Sequence, residues 1–186
     1  MASEDNTFVI RGPTPAEPLS KKTLGEEILH SLLQNKPDDD AMIDAVTGEA
    51  LSRRSLLQAA CDTATALQRC GCTKGTVISI CSENSLQFFT PVLASLFTGC
   101  IVAPVNHSYT SEELEHSLDI SKPKIIFCSR EVLPKFTELK RKRDHIEKVI
   151  ALDCNETLAG AETMETFIER ALMGQRVIPE NFQPPH

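Results

Sequence analysis

The sequence predicts an α/β protein: a mostly parallel, doubly wound sheet with flanking helices. Three observations carry this. Four β-rich runs, residues 76–81 (TVISIC), 101–104 (IVAP), 124–128 (KIIFC) and 148–152 (KVIAL), recur at intervals of about 24 residues with helical patterns between them. Between the first two lies a helix apolar on nearly every side, carrying Leu86, Phe88, Phe89, Val92, Leu93, Ala94, Leu96 and Phe97 and closed by Gly99. A helix of that kind must be covered all round, which predicts a buried β-α-β unit. Finally, 186 residues with 41% hydrophobic and 24% charged content suffice for one folded core.

Taken in order, residues 1–19 read as an extended, proline-punctuated arm. Residues 20–75 read as helices and a short hairpin, 76–173 as the sheet core and 174–186 as a truncated linker or tail. Thr23 and Glu26 have capping-box spacing and open a helix whose apolar face is Leu24, Ile28, Leu29, Leu32 and Leu33, with Pro37 beyond its end. Residues 41–44 and 50–51 flank Val46-Thr47-Gly48-Glu49, a hairpin-like reversal in which Gly48 supplies the left-handed position. Ser52 caps the next helix, with Leu56, Ala60, Ala64 and Leu67 on one face and Gly71 at its end.

Asn84 is the expected cap of the all-apolar helix, and Pro91 is expected to kink it. Thr110 and Glu113 form a second capping box, before a helix carrying Leu114 and Leu118 and stopped by Pro123. Ser129 is the expected cap of a helix with Val132, Leu133, Phe136 and Leu139, whose start Pro134 blurs. A last helix spans about residues 164–172, with Met164, Phe167, Ile168, Ala171 and Leu172 apolar.

The net charge of −7 argues against a nucleic-acid surface. The basic run Lys140-Arg141-Lys142-Arg143, flanked by Glu138 and Asp144, reads as a solvated helix end. Seven cysteines without a Cys-x-x-Cys, several inside apolar runs, suit a reducing compartment. Cys70-x-Cys72 lacks a nearby histidine and is not read as a metal site. No apolar run is long enough to span a bilayer, and no targeting signal is visible. An intracellular place, cytoplasmic or peroxisomal, is the expectation.

Ligands of open parallel sheets bind beyond the carboxyl ends of the strands. Those ends are Ser82-Glu83-Asn84, Asn106-His107-Ser108-Tyr109, Ser129-Arg130 and Asp153. Helix capping accounts for Asn84, Thr110 and Ser129 more simply than ligand contact. Glu83 reads as a first-turn helix carboxylate rather than a base, and His107 as a loop histidine without a nucleophile to serve. The nearest pair of glycines, Gly71 and Gly75 with Lys74 between, lies after a helix and before a strand, the wrong order for a phosphate cradle. No residue is therefore assigned a catalytic, cofactor-binding or metal-binding role.

Residues 81–99 (CSENSLQFFTPVLASLFTG), followed by Val102-Ala103-Pro104-Val105-Asn106, Tyr109, Glu113-Leu114, Ile120-Ser121, Pro123 and Ile126-Phe127, resemble beetle luciferases and the related 4-coumarate–CoA ligase-like acyl-CoA synthetases. Asp44, Thr47, Gly48 and Glu49 are similar to the same family's opening, and the resemblance covers roughly residues 20–180. It implies the large N-terminal domain of an adenylate-forming enzyme. Such enzymes use Mg-ATP to join a fatty or aryl carboxylate to AMP and then pass the acyl group to CoA; luciferases instead oxidise the adenylate. The family's phosphate loop is expected shortly after the segment resembling Pro179-Glu180-Asn181-Phe182, and none is found before His186. ATP, Mg and CoA are thus implied for the full-length family and placed on no residue here. Two readings follow: an N-terminal portion of an acyl-CoA synthetase (or a luciferase-type monooxygenase), inactive by itself, or a non-catalytic α/β module whose partner is the remainder of such an enzyme.

Overall fold

A computed structural model describes residues 21–34, 36–154, 156 and 160–185. The arm expected over residues 1–19 lies outside them.

The first helix, α1 (Leu24–Gln34), opens on the expected capping box: Glu26 N–H donates to Thr23 Oγ1 at 3.2 Å and Thr23 N–H to Glu26 Oε2 at 2.5 Å. Leu29 is buried and Ile28, Leu32 and Leu33 pack on the core. Leu24, expected on the same face, is 63% exposed. The hairpin β1 (Asp40–Ile43) and β2 (Ala50–Ser52) is antiparallel. Its turn is closed by Asp44, whose Oδ1 accepts the Val46 and Thr47 amides at 2.8 Å, and by Gly48 at φ +74°. Ser52 caps α2 (Arg53–Arg69) by accepting from Ser55 N–H, and Gly71 at φ +70° follows its end.

Five parallel strands make the main sheet: β3 (Val77–Cys81), β4 (Ile101–Pro104), β5 (Ile125–Cys128), β6 (Lys148–Ala151) and β7 (Glu162–Thr163). Their spatial order is β4-β3-β5-β6-β7. The two-residue β7 pairs with β6 and was not foreseen; no run so short carries a period of its own. The remaining helices are α3 (Phe89–Phe97), α4 (Ser111–Ser121), α5 (Leu133–Lys142) and α6 (Met164–Leu172).

Strand alternation divides the core into two layers. Ile78, Ile80, Ile125, Phe127 and Ile150 face α1, α2, α3 and α6, together with Leu67, Leu93, Phe97 and Phe167. Cys81, Ile126, Cys128, Val149 and Ala151 face α4 and α5, together with Leu114, Leu118, Phe136 and Leu139. Both faces of the inner strands β3, β5 and β6 are covered, so these read as continuous apolar runs, whereas the edge strand β4 has Ile101 and Pro104 exposed.

Two helix starts differ from expectation for one reason. Asn84 does not cap α3; the cap position is Phe88, with no side-chain bond, after turns in which Phe88 N–H reaches Ser85 O and Thr90 N–H reaches Gln87 O. A helix begun at Asn84 would place Pro91 in its interior, where it lacks a donor and meets the preceding turn. Starting at Phe89 moves Pro91 into the first turn, where no intrahelical donor is required, so the expected kink is replaced by a later start. Likewise α5 begins at Leu133 with Pro134 in its first turn, and its cap position is Val132 rather than Ser129. Thr110 forms the complete capping box with Glu113. Nor is α3 covered all round: Phe89 is 48% exposed and Phe88, Val92 and Leu96 are half-buried.

Pro179–Asn181 make one 3-10 turn, Val177 and Phe182 pack on the core, and the Phe182 ring lies 6.0 Å from that of Phe97.

Candidate functional site at the carboxyl ends of the strands

The connection from β3 to β4 runs over one face of the sheet through α3, and that from β4 to β5 runs over the other through α4. The chain therefore reverses direction between β3 and β5, and in open α/β sheets the crevice beyond such a reversal is where ligands settle. Cys81 and Cys128 are register partners at that point, so the residues after them, Ser82-Glu83 and Ser129-Arg130, stand side by side.

Two expected rim residues, Glu83 and Ser129, stand side by side there, and His107 bears on Glu83 through its charge. Glu83 is half-buried; burial pushes its carboxyl up, but its own backbone N–H, the Ser129 hydroxyl and the charge of His107 together outweigh that and hold it below the usual carboxylate range. Ser129 is 2% exposed. Its Oγ and Glu83 Oε1 are both shut away from solvent, and neither completes a hydrogen bond of full geometry among the described residues. The hydroxyl stands beside the carboxylate without being aligned to it. This cluster is an ionised acceptor, a hydroxyl and an imidazole at the switch point, without a strained nucleophile elbow.

The other rim residues hold loops. Asp153 Oδ1 accepts the Arg130 amide at 2.7 Å, tying the ends of β5 and β6 together. Asn106 Oδ1 accepts the Ser108 amide at 3.0 Å. The Tyr109 carbonyl accepts Lys135 Nζ at 3.1 Å, a contact between elements far apart in sequence. Asn84 is exposed and lines a cleft of about 420 Å³ beside the β1–β2 turn. A second cleft of about 230 Å³ lies beyond β3 and β6 on the α2–α6 side, with Leu51, Leu86, Leu152, Met164 and Ile168 as its apolar wall and Glu49 and Gln87 at its edge. An apolar group fits against that wall, but no cationic group lies on it to receive a phosphate.

Gly71 and Gly75 act as a helix stop and a turn. Gly75 N–H donates to the Gly99 carbonyl at 3.0 Å, so that amide is already engaged, and Lys74 packs its stem toward Gly99. Among the described residues no group of three or more His, Cys, Asp or Glu side chains is placed to hold a metal ion, and no helix is long and apolar enough to cross a membrane.

Sequence reasoning missed Asp62. It is buried at 1% exposure and bonds to Gln58 and to the backbone of Val177. Its signal was available: it is the single acidic residue in the seventeen of α2.

The fold and its rim define a doubly wound α/β sheet whose ligand edge is assembled around the β3–β5 reversal. Residues 29–183 match the family described as AMP-binding enzyme, and the chain belongs to that family. It is 38% identical over 164 residues to luciferin 4-monooxygenase of Photuris pensylvanica, an overlap of 87% of this chain and 30% of the relative. It is 32% identical over 102 residues to peroxisomal OPC-8:0-CoA ligase 1 of Arabidopsis thaliana, an overlap of 55% and 19%. Among solved structures, the natural red-emitting luciferase of Phrixothrix hirtus superposes with a TM-score of 0.86 at 32% identity, over 94% of this chain and 33% of that one. The luciferase-like enzyme of the nonluminescent mealworm Zophobas morio shares the fold, with a TM-score of 0.81 at 20% identity, over 96% of this chain and 40% of that one. The chain spans about 30% of the length of the curated relatives it matches.

Proposed function

We propose that this chain is the N-terminal part of an ATP-dependent acyl-CoA ligase that adenylates a fatty or aryl carboxylate and transfers the acyl group to CoA. In that enzyme it serves as scaffold, and the 186 residues alone do not carry out adenylation. The supporting observation is the family match over residues 29–183, combined with a sequence in which no glycine-rich loop follows a strand and opens a helix. Electrostatic stabilisation of a phosphoryl transition state needs aligned backbone donors and a cation; Arg130 stands on the rim, but no glycine-rich loop supplies the aligned donors. ATP, Mg and CoA are the cofactors this reading implies for the longer enzyme. A cytoplasmic or peroxisomal place belongs to the same reading and is supported by seven cysteines that are all free.

Exchange of labelled pyrophosphate into ATP, run on the 186-residue chain with a panel of fatty and aryl acids, tests the scaffold role. The expected rate is that of the protein-free control, and exchange well above it refutes the proposal. A second reading, a luciferase-type monooxygenase, is favoured by the higher identity and wider overlap with luciferin 4-monooxygenases than with the CoA ligase. Assaying a polypeptide that joins this chain to the family's remaining length separates the two. Thioester formation with CoA supports the ligase, and light from luciferin, ATP and oxygen supports the monooxygenase. The non-catalytic module remains distinguishable by failure of both.

A further inference from the structure

We propose that Asp62 is a positioning residue: its buried carboxylate latches residues 175–182 across α2 and so fixes where the chain runs after α6. Its Oδ1 accepts the Val177 amide at 3.0 Å and Gln58 Nε2 at 3.1 Å, and Arg176 Nη1 lies 3.4 Å from Oδ2. Gln58 Nε2 also donates to the Val177 carbonyl at 2.8 Å, so both backbone groups of Val177 are held by α2. Further on, Phe182 meets Phe97. Between these two anchors the chain passes beside a cavity of about 410 Å³ lined by Leu32, Leu33, Leu57 and Ile178, so dense packing does not fix its path there.

Asp62 sits among Cys61, Thr63 and Ala64, each fully buried, where an apolar residue would satisfy the core without desolvating a charge. Arg176 is 76% exposed at its side chain and contributes little. The carboxylate's effective partners are therefore an amide N–H and a carboxamide, which are directional where apolar contact is not. One register of the strap presents the Val177 amide to Asp62 and the Val177 carbonyl to Gln58; sliding by a residue breaks both bonds, while the Gln58–Asp62 bond within α2 stays. The consequence rests on the ligase reading. A longer enzyme of this family continues from the strap, and Asp62 sets the point from which it does so.

The test is residue-resolved hydrogen exchange and trypsin cleavage after Arg176 in the 186-residue chain, in Asp62→Ala and in Asp62→Asn. In Asp62→Ala the Val177 amide is expected to exchange at least about tenfold faster, with cleavage after Arg176 accelerating in parallel, while Ile80 and Phe127 in the sheet keep their rates. Asp62→Asn, which retains an acceptor, is expected to fall between the two. A change at Val177 below about twofold, or equal acceleration of the sheet amides, overturns the proposal. If Asp62→Ala does not fold, Gln58→Ala at a half-buried position is read at the same amide with the same criteria. Acyl-adenylate formation is not a readout here, so failure of the enzymatic reading and failure of the latch are separate outcomes.

Discussion

Gly25→Ala reverses the sign that helix propensity alone assigns to it. Within an exposed helix, glycine to alanine stabilises by about 1 kcal/mol. Gly25 is the second residue of α1, buried where that helix crosses α3. A Cβ built there stands 2.8 Å from the Leu96 carbonyl carbon, 3.2 Å from the Phe97 nitrogen and closer still to the Leu96 oxygen. All three obstacles are backbone atoms of α3, so no rotamer change relieves them. The helices have to part by about an ångström, and overpacking of this kind costs about 1–3 kcal/mol, the upper half applying where backbone must move. After the propensity gain the net loss is about 1–2 kcal/mol, a fall in Tm of about 2–8 °C for a chain of this size. Urea and thermal unfolding followed by circular dichroism measure it. Leu24→Ala, one residue earlier and 63% exposed, is the control and should move stability by no more than about 0.5 kcal/mol. A Gly25→Ala chain as stable as the parent, or more so, refutes the close-approach argument.

Thr110→Ala removes the capping box of α4 and should lower stability by about 1 kcal/mol at pH 7, read from the urea midpoint. The Glu113 carboxylate is held below its ordinary 4.5, first by the Thr110 backbone N–H and then by its hydroxyl, so its contribution is present above pH 4.5 and is lost as pH falls through the lower folded value. The Thr110→Ala penalty should therefore shrink at pH 3, and a pH-independent penalty counts against the box. Burial pushes the thiols of Cys61, Cys72 and Cys81 up to about 12 from an ordinary 9.0. A raised thiol stabilises the fold fully below pH 9.0, and that contribution disappears as pH rises toward 12. Unfolding midpoints should fall between pH 8 and pH 10.5. At pH 8 these three should react with Ellman's reagent only after denaturation; rapid reaction in the native chain contradicts their burial.

Much of the fold was legible because its signals are local. The runs at 76–81, 101–104, 124–128 and 148–152 lie within a residue of β3, β4, β5 and β6; for β3, β5 and β6 the reason is that strands buried on both faces must be continuously apolar. Thr23, Ser52 and Thr110 cap the helices they were expected to cap. Asn84 and Ser129 failed because a downstream proline, Pro91 or Pro134, selects the helix start more strongly than an available oxygen does. The rim was legible as a set of strand ends, but not as a site: nothing local says that Glu83 and Ser129 come together under the charge of His107 while Asp153 turns to the Arg130 amide.

By itself, then, the sequence determined the alternation of elements, the parallel sheet and the kinship carried by residues 81–106. Each is written in periodicity or in contiguous residues. Only the tertiary structure decided the strand order, the half-exposure of α3, the close approach at Gly25 and the latch between Asp62 and Val177. The last two join residues about 70 and 115 positions apart, and a contact across that distance is chosen by the packing of whole layers rather than by any neighbour in the chain.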